Sequence, residues 1–67
     1  MKLNIDEIEN YIGYLVKVFT INDQRIAAKL INVNNIYILL ENSNGFRNKI
    51  RIDEIDAIFT LRNQGGV

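Results

Sequence analysis

Around Gly13 the spacing of apolar residues changes from that of a helix to that of a strand. Leu3, Ile8, Tyr11, Ile12 and Leu15 recur at three- and four-residue intervals, which aligns them along one stripe of an amphipathic helix. Asn4 suits the N-cap, with Glu7 three residues on as in a loose capping box. Asp6, Glu7 and Glu9 fall in the first turns, where the helix dipole favours negative charge. Gly13 can close the helix in a left-handed conformation. The pattern predicts about two helical turns from Ile5 to Ile12.

Beyond Gly13 the period is 2. Val16, Val18 and Thr20 alternate with Lys17, Phe19 and Ile21, as on the two faces of a strand. Asn22-Asp23 is a tight-turn dipeptide that tolerates positive φ. Ile26, Ala28 and Leu30 alternate with Arg25, Ala27 and Lys29, which predicts a second strand running to Val33. Asn34-Asn35 makes the next turn, and the apolar run Ile36 to Leu40 predicts a central strand covered on both faces. Asn42-Ser43-Asn44-Gly45 is a loop. Phe46, Ile50 and Ile52 alternate with Arg47, Lys49 and Arg51 in a fourth strand. A short acidic turn precedes a fifth strand from Ala57 to Leu61. The expected fold is mainly β: a short N-terminal helix, then five short antiparallel strands that curl into a strongly bent, SH3-like barrel. One domain is expected over residues 1–61, with 62–67 a flexible tail that holds no core residues.

With 67 residues, such a domain buries only about 60% of its unfolded surface and is marginal by itself. The chain has no Cys and no His, so disulfides, thiolate metal sites and the commonest zinc ligand and general base are all missing. Hydrophobic residues make up 48%, twelve of them isoleucine, more than one thin core can hide. Assembly with other copies is therefore the expected source of added stability. No stretch reaches the roughly 20 apolar residues of a membrane-spanning helix, and the first ten residues lack the features of a signal peptide. A soluble, cytoplasmic protein is expected.

Eight basic residues balance eight acidic ones, which argues against strong nonspecific polyanion binding. The charges are segregated, however. Residues 11–51 carry a net +4, while residues 1–10 and 52–67 each carry a net −2.

Two segments carry a family resemblance. Asn32-Val33-Asn34-Asn35-Ile36-Tyr37-Ile38-Leu39-Leu40 resembles the Ser-Phe-Asp-Gln-Phe-Val-Ile-Leu-Leu run of bacterial Hfq, and Asn22-Asp23 falls at that family's Asn-Gly turn. Ile50-Arg51-Ile52-Asp53-Glu54-Ile55-Asp56-Ala57-Ile58 resembles the second Sm motif, Ile-Arg-Gly-Asp-Asn-Ile-x-x-Ile. The resemblance to the Sm-like superfamily covers Ile8 to Phe59. There are departures: Asn34 stands for the usual Asp, Ile52 for a Gly, Ala28 for a Gly of the bent second strand, and Ile52-Asp53 for the Lys-His pair of Hfq. What the resemblance implies is a homo-oligomeric ring of six or seven subunits, the fourth strand of one pairing with the fifth of the next. It also implies single-stranded, U- or A-rich RNA bound near the pore.

The candidate RNA-binding residues are Asn34, Asn35, Tyr37, Arg51 and Asp53. An amide can read a base edge, an aromatic ring can stack on a base, and Arg51 occupies the motif arginine. Asn34 and Asn35 equally supply turn geometry, and Tyr37 equally packs at an interface. Arg47 and Lys49 continue a basic strand face with Arg51, able to neutralise phosphates or simply to protect an edge. Asp53, Glu54 and Asp56 form a carboxylate cluster, read as an acidic turn in which Asp53 orders the loop through backbone hydrogen bonds rather than as a metal site. The single Ser43 has no base to activate it, and no Gly-rich phosphate loop is present. No enzyme activity and no cofactor are expected. The alternative to an RNA-binding ring is a ring or barrel acting as an assembly or protein-interaction module.

Overall fold

The computed structural model describes residues 3–61; the expected tail, 62–67, lies outside them. Helix α1 (Ile5–Glu9) is followed by strands β1 (Leu15–Thr20), β2 (Arg25–Val33), β3 (Tyr37–Glu41) and β4 (Arg47–Arg51). A single 3-10 turn, Ile52–Glu54, then leads into β5 (Ile55–Thr60). The strands form one antiparallel sheet in the order β4-β3-β2-β1-β5, so β4 and β5 are its two edges.

That order and the short corner between the edge strands cannot coexist in a flat sheet. Four inter-strand spacings amount to about 19 Å. In addition, β5 starts beside the Arg25 end of β2, whereas β4 finishes beside the Val33 end. Laid flat, those levels would stand about 26 Å apart along β2. The stretch from Arg51 to Ile55 spans at most about 14 Å. The sheet must therefore curl, with β2 bending midway. The ladder between β2 and β3 shifts register between Leu30 and Asn32, and that between β1 and β5 shifts between Phe19 and Thr20. Such shifts are where a sheet takes up curvature. Ala28, buried two residues before the β2–β3 shift, has the smallest side chain among the core positions.

Curling turns one face of every strand toward a single core. Val16 and Val18, Ala28, Leu30 and Val33, Ile38 and Leu40, Ile50, and Ile55 meet there, and Ile8 of α1 closes it. Two hydrogen bonds pin the corner to both sides of the curl: Ile52 N–H donates to the Ile36 carbonyl (2.8 Å), and Ile21 N–H donates to the Glu54 carbonyl (2.9 Å).

Several element boundaries differ from the pattern's expectation. Asn4 caps α1 as expected, its Oδ1 accepting from Glu7 N–H, but the helix stops at Glu9 instead of Ile12. From Asn10 onward the N–H groups of Tyr11, Ile12 and Tyr14 bond three residues back, a tighter coil than an α-helix. Gly13 does adopt the left-handed region, at φ 93°. There it docks on β2, its N–H donating to the Leu30 carbonyl (2.7 Å), and does not cap the helix. Ile21 lies in the first turn, not in β1. The cause is Thr20, buried, whose Oγ1 accepts from Asn22 N–H (3.3 Å) and Gln24 N–H (3.1 Å) while Asp23 takes φ 67°. β3 begins at Tyr37 and buries Ile38 and Leu40 on one face, leaving the other face half-covered, so it is not enclosed on both sides. Phe46 lies outside β4, Ile52 belongs to the 3-10 turn, and β5 starts two residues early at Ile55.

The Thr20 hydroxyl is the only buried polar side chain among the described residues, and it holds the β1–β2 turn. Thr20→Val should lower unfolding free energy by about 1–3 kcal/mol by orphaning two N–H groups, and Thr20→Ser should keep most of it. Urea titration at unchanged m-value reads this; a Val variant within error of the native protein would contradict the role given to the hydroxyl.

Candidate nucleic-acid interface

The corner that joins β4 to β5 also forms the floor of a concavity. A cleft of about 670 Å³ is lined by Asn35 and Ile36 from the β2–β3 turn, Arg51, Ile52 and Asp53 from the corner, and Leu3 and Ile5 from the N-terminal segment. The 3-10 turn after Arg51 swings Asp53 back beneath the guanidinium. Nη2 of Arg51 donates to Oδ2 of Asp53 (2.9 Å) and Nε to Oδ1 (3.2 Å), a bidentate pair of the kind that fixes a guanidinium plane. Hydrogen bonding to Asp53, and then its charge, raises the Arg51 pKa further above its already high value. Arg51 is thus charged across the working pH range. The pair is open to water on both sides, so its role is orientation more than stability.

Asn35, Arg51 and Asp53 thus meet in one cleft, while the other expected residues stand elsewhere. Asn34 Oδ1 accepts from Ile36 N–H (2.8 Å) and Tyr37 N–H (2.9 Å), and its own N–H donates to the Tyr37 carbonyl (3.0 Å). Its side chain builds the turn, the structural alternative foreseen for it. Tyr37 lies on the outer face, directly opposite Arg51 across the β3–β4 ladder. Lys49 Nζ lies 4.7 Å from its ring centroid, a cation–π contact that covers one face of the ring. Asp53 engages the Arg51 side chain instead of the loop backbone. Among the described residues no three acidic side chains converge as a metal ion would require.

Arg47, Lys49 and Arg51 do share one face, opposite Glu41, Leu39 and Tyr37 respectively. Their charge is largely answered locally: Arg47 Nε lies 3.4 Å from Glu41 Oε2, and Arg51 is held by Asp53. Lys49 is the cation of the stripe without a carboxylate partner among the described residues. The apolar lining of the cleft, Leu3, Ile5, Ile36 and Ile52, was not foreseen. Its signal was the presence of Ile at 36 and 52, where an alternating pattern counted them as strand interior. Ile36 is 67% exposed.

No family model, curated protein or solved structure matches this chain.

If Asn34 builds the turn, the acceptor oxygen matters and the amide does not. Asn34→Asp should leave stability unchanged, whereas Asn34→Ala should lose about 1 kcal/mol in urea unfolding. Equal losses in the two variants would return Asn34 to the candidate base readers.

Proposed function

We propose that this protein is an Sm-like, ring-forming barrel that binds single-stranded RNA at the cleft of Arg51, Asn35 and Asp53. The supporting observation is the union of two features in one corner. The strand order leaves β4 and β5 as edges, and the residues joining them line the cleft. Exposed edges with unpaired backbone groups favour pairing with another chain. Pairing β4 of one copy with β5 of the next satisfies both edges and closes a symmetric ring. Every copy then presents its corner at the same radius.

Within the cleft, Asn35 offers an amide to a base edge. Arg51, oriented by Asp53, offers its remaining N–H donors to a base or phosphate, and Ile36 and Ile52 offer an apolar floor. Uracil- or adenine-rich strands are the chemistry this set suits, through hydrogen bonds at the base edge with packing beneath the ring. A second reading, an assembly module without nucleic acid, is favoured by the neutralisation of Arg47 and Arg51 by Glu41 and Asp53. With few free cations, a bound strand releases few counterions, so the RNA reading carries a shallow salt dependence.

Light scattering of the full chain should give six or seven times the single-chain mass, and fluorescent oligo-U or oligo-A should bind with a log–log salt slope no steeper than about −2 per strand segment on one subunit. Arg51→Ala should weaken that binding at least about tenfold, roughly 1.4 kcal/mol, without changing the mass. A single-chain mass would end the ring reading. A ring indifferent to both oligonucleotides at low salt would leave the assembly module.

A further inference from the structure

We infer that the convex face of β2, β1 and β5 is a docking surface for the acidic helix of a second copy of this chain. The face is fixed by register. Lys17 is paired with Ala27 and Phe59, Phe19 with Arg25 and Ala57, and Leu15 with Lys29. Their neighbours Val16 and Val18 point into the core, so these partners stand on the opposite side of the sheet. At its centre Phe19 and Phe59 meet edge to face, with centroids 5.8 Å apart. Lys17 Nζ and Arg25 Cζ each lie 5.7 Å from the Phe19 ring centroid. Phe59 and Leu15 are about half exposed. The result is an apolar centre between cations. The nearest acidic groups are at its margin: Glu41, opposite Lys29 but bonded to Arg47, Asp56 beside the β1–β5 register shift, and Asp23 in the adjoining turn.

The complementary surface is on the same molecule. Asp6, Glu7 and Glu9 of α1 are exposed, turned away from the core that Ile8 enters. Neither set of charges is answered by an ion pair among the described residues. Among the described residues the ion pairs are Arg47–Glu41 and Arg51–Asp53 alone. Although Glu7 lines the same hollow as Ala57 and Phe59 at the rim of this face, one copy does not join its own pair among the described residues. Two copies can, head to tail. A contact between two different patches is heterologous and repeats along a column unless it closes. It leaves the β4 and β5 edges free, so it operates between single chains or between rings alike.

A nucleic acid is the competing occupant of a basic, aromatic face. It is less favoured because Phe19, the ring best placed for stacking, is already flanked by Lys17 and Arg25 and abutted by Phe59, leaving little open π-face.

The test is sedimentation of the native chain across a concentration series at two ionic strengths. Screening lengths are about 30 Å at 0.01 M salt and about 3 Å at 1 M. At low salt the weight-average mass should at least double with concentration, and at high salt it should fall to a constant unit. That unit, single chain or ring, judges the ring reading separately. Lys17→Glu with Arg25→Glu should hold the mass at the high-salt unit under all conditions, and so should Glu7→Lys with Glu9→Lys. The chain carrying all four substitutions restores the charge balance and should regain association. Circular dichroism confirms that each variant folds. The proposal is overturned if the native mass ignores salt and concentration, or if the folded four-substitution chain does not regain association. It is likewise overturned if Lys17→Glu with Arg25→Glu abolishes oligonucleotide binding while association persists, which would give the face to nucleic acid.

Discussion

The shape of this molecule depends on a corner too short for a flat sheet. β4 and β5 lie at opposite edges of a five-stranded order, yet only Ile52–Glu54 separates them. Joining those edges curls the sheet and gathers Val16, Leu30, Ile38, Leu40, Ile50 and Ile55 into one core, with the β2–β3 register shifting just past Leu30. The hydrogen bonds from Ile52 N–H to the Ile36 carbonyl and from Ile21 N–H to the Glu54 carbonyl hold the corner from either side. The cleft is a by-product of the same constraint, because the residues that make the corner also line it. Fold and candidate site therefore share one cause.

The electrostatics of the corner limit what it can do. A guanidinium held by a carboxylate is well oriented but half neutralised, so in the proposed function Arg51 would contribute direction and specificity more than attraction. Arg47 is answered by Glu41 in the same way, and Lys49 covers Tyr37. Under the proposed function, a ligand here would be recognised by hydrogen-bond pattern and by the isoleucine floor. Besides Lys49, the cations that remain without acidic partners among the described residues, Lys17, Arg25 and Lys29, stand instead on the convex face.

Much of this was legible in the sequence, and what was not has identifiable reasons. Alternation in Val16–Thr20 and Arg25–Leu30 marks strands because one face of each is buried or partly buried, and in β2 it breaks at the register shift after Leu30. Residues at element ends were misplaced wherever an isoleucine sat outside the core. Ile21, Ile36 and Ile52 read as strand interior by hydrophobicity, yet they belong to turns, where Thr20, Asn34 and the 3-10 corner set the backbone by local hydrogen bonds. Periodicity carries no such information. Of the candidate site, Arg51, Asn35 and Asp53 do meet, since motif spacing follows chain geometry at the corner. Asn34 could not be assigned because an amide that caps a turn and one that reads a base are the same residue in sequence. The convex cationic face was invisible for another reason: Lys17, Arg25 and Phe59 come from three strands and meet only through the ladder register.

A sheet with two unpaired edges that a ring would join makes a direct claim about backbone amides. Amide hydrogen exchange along Arg47–Arg51 and Ile55–Thr60, followed residue by residue in the full chain, tests it most directly. If the edges are paired between copies, successive amides in both strands should be protected as well as those of β1, β2 and β3. If alternate amides in β4 and β5 exchange at the rate of the Asn42–Gly45 loop while the inner strands stay protected, the edges are open and the ring account is wrong.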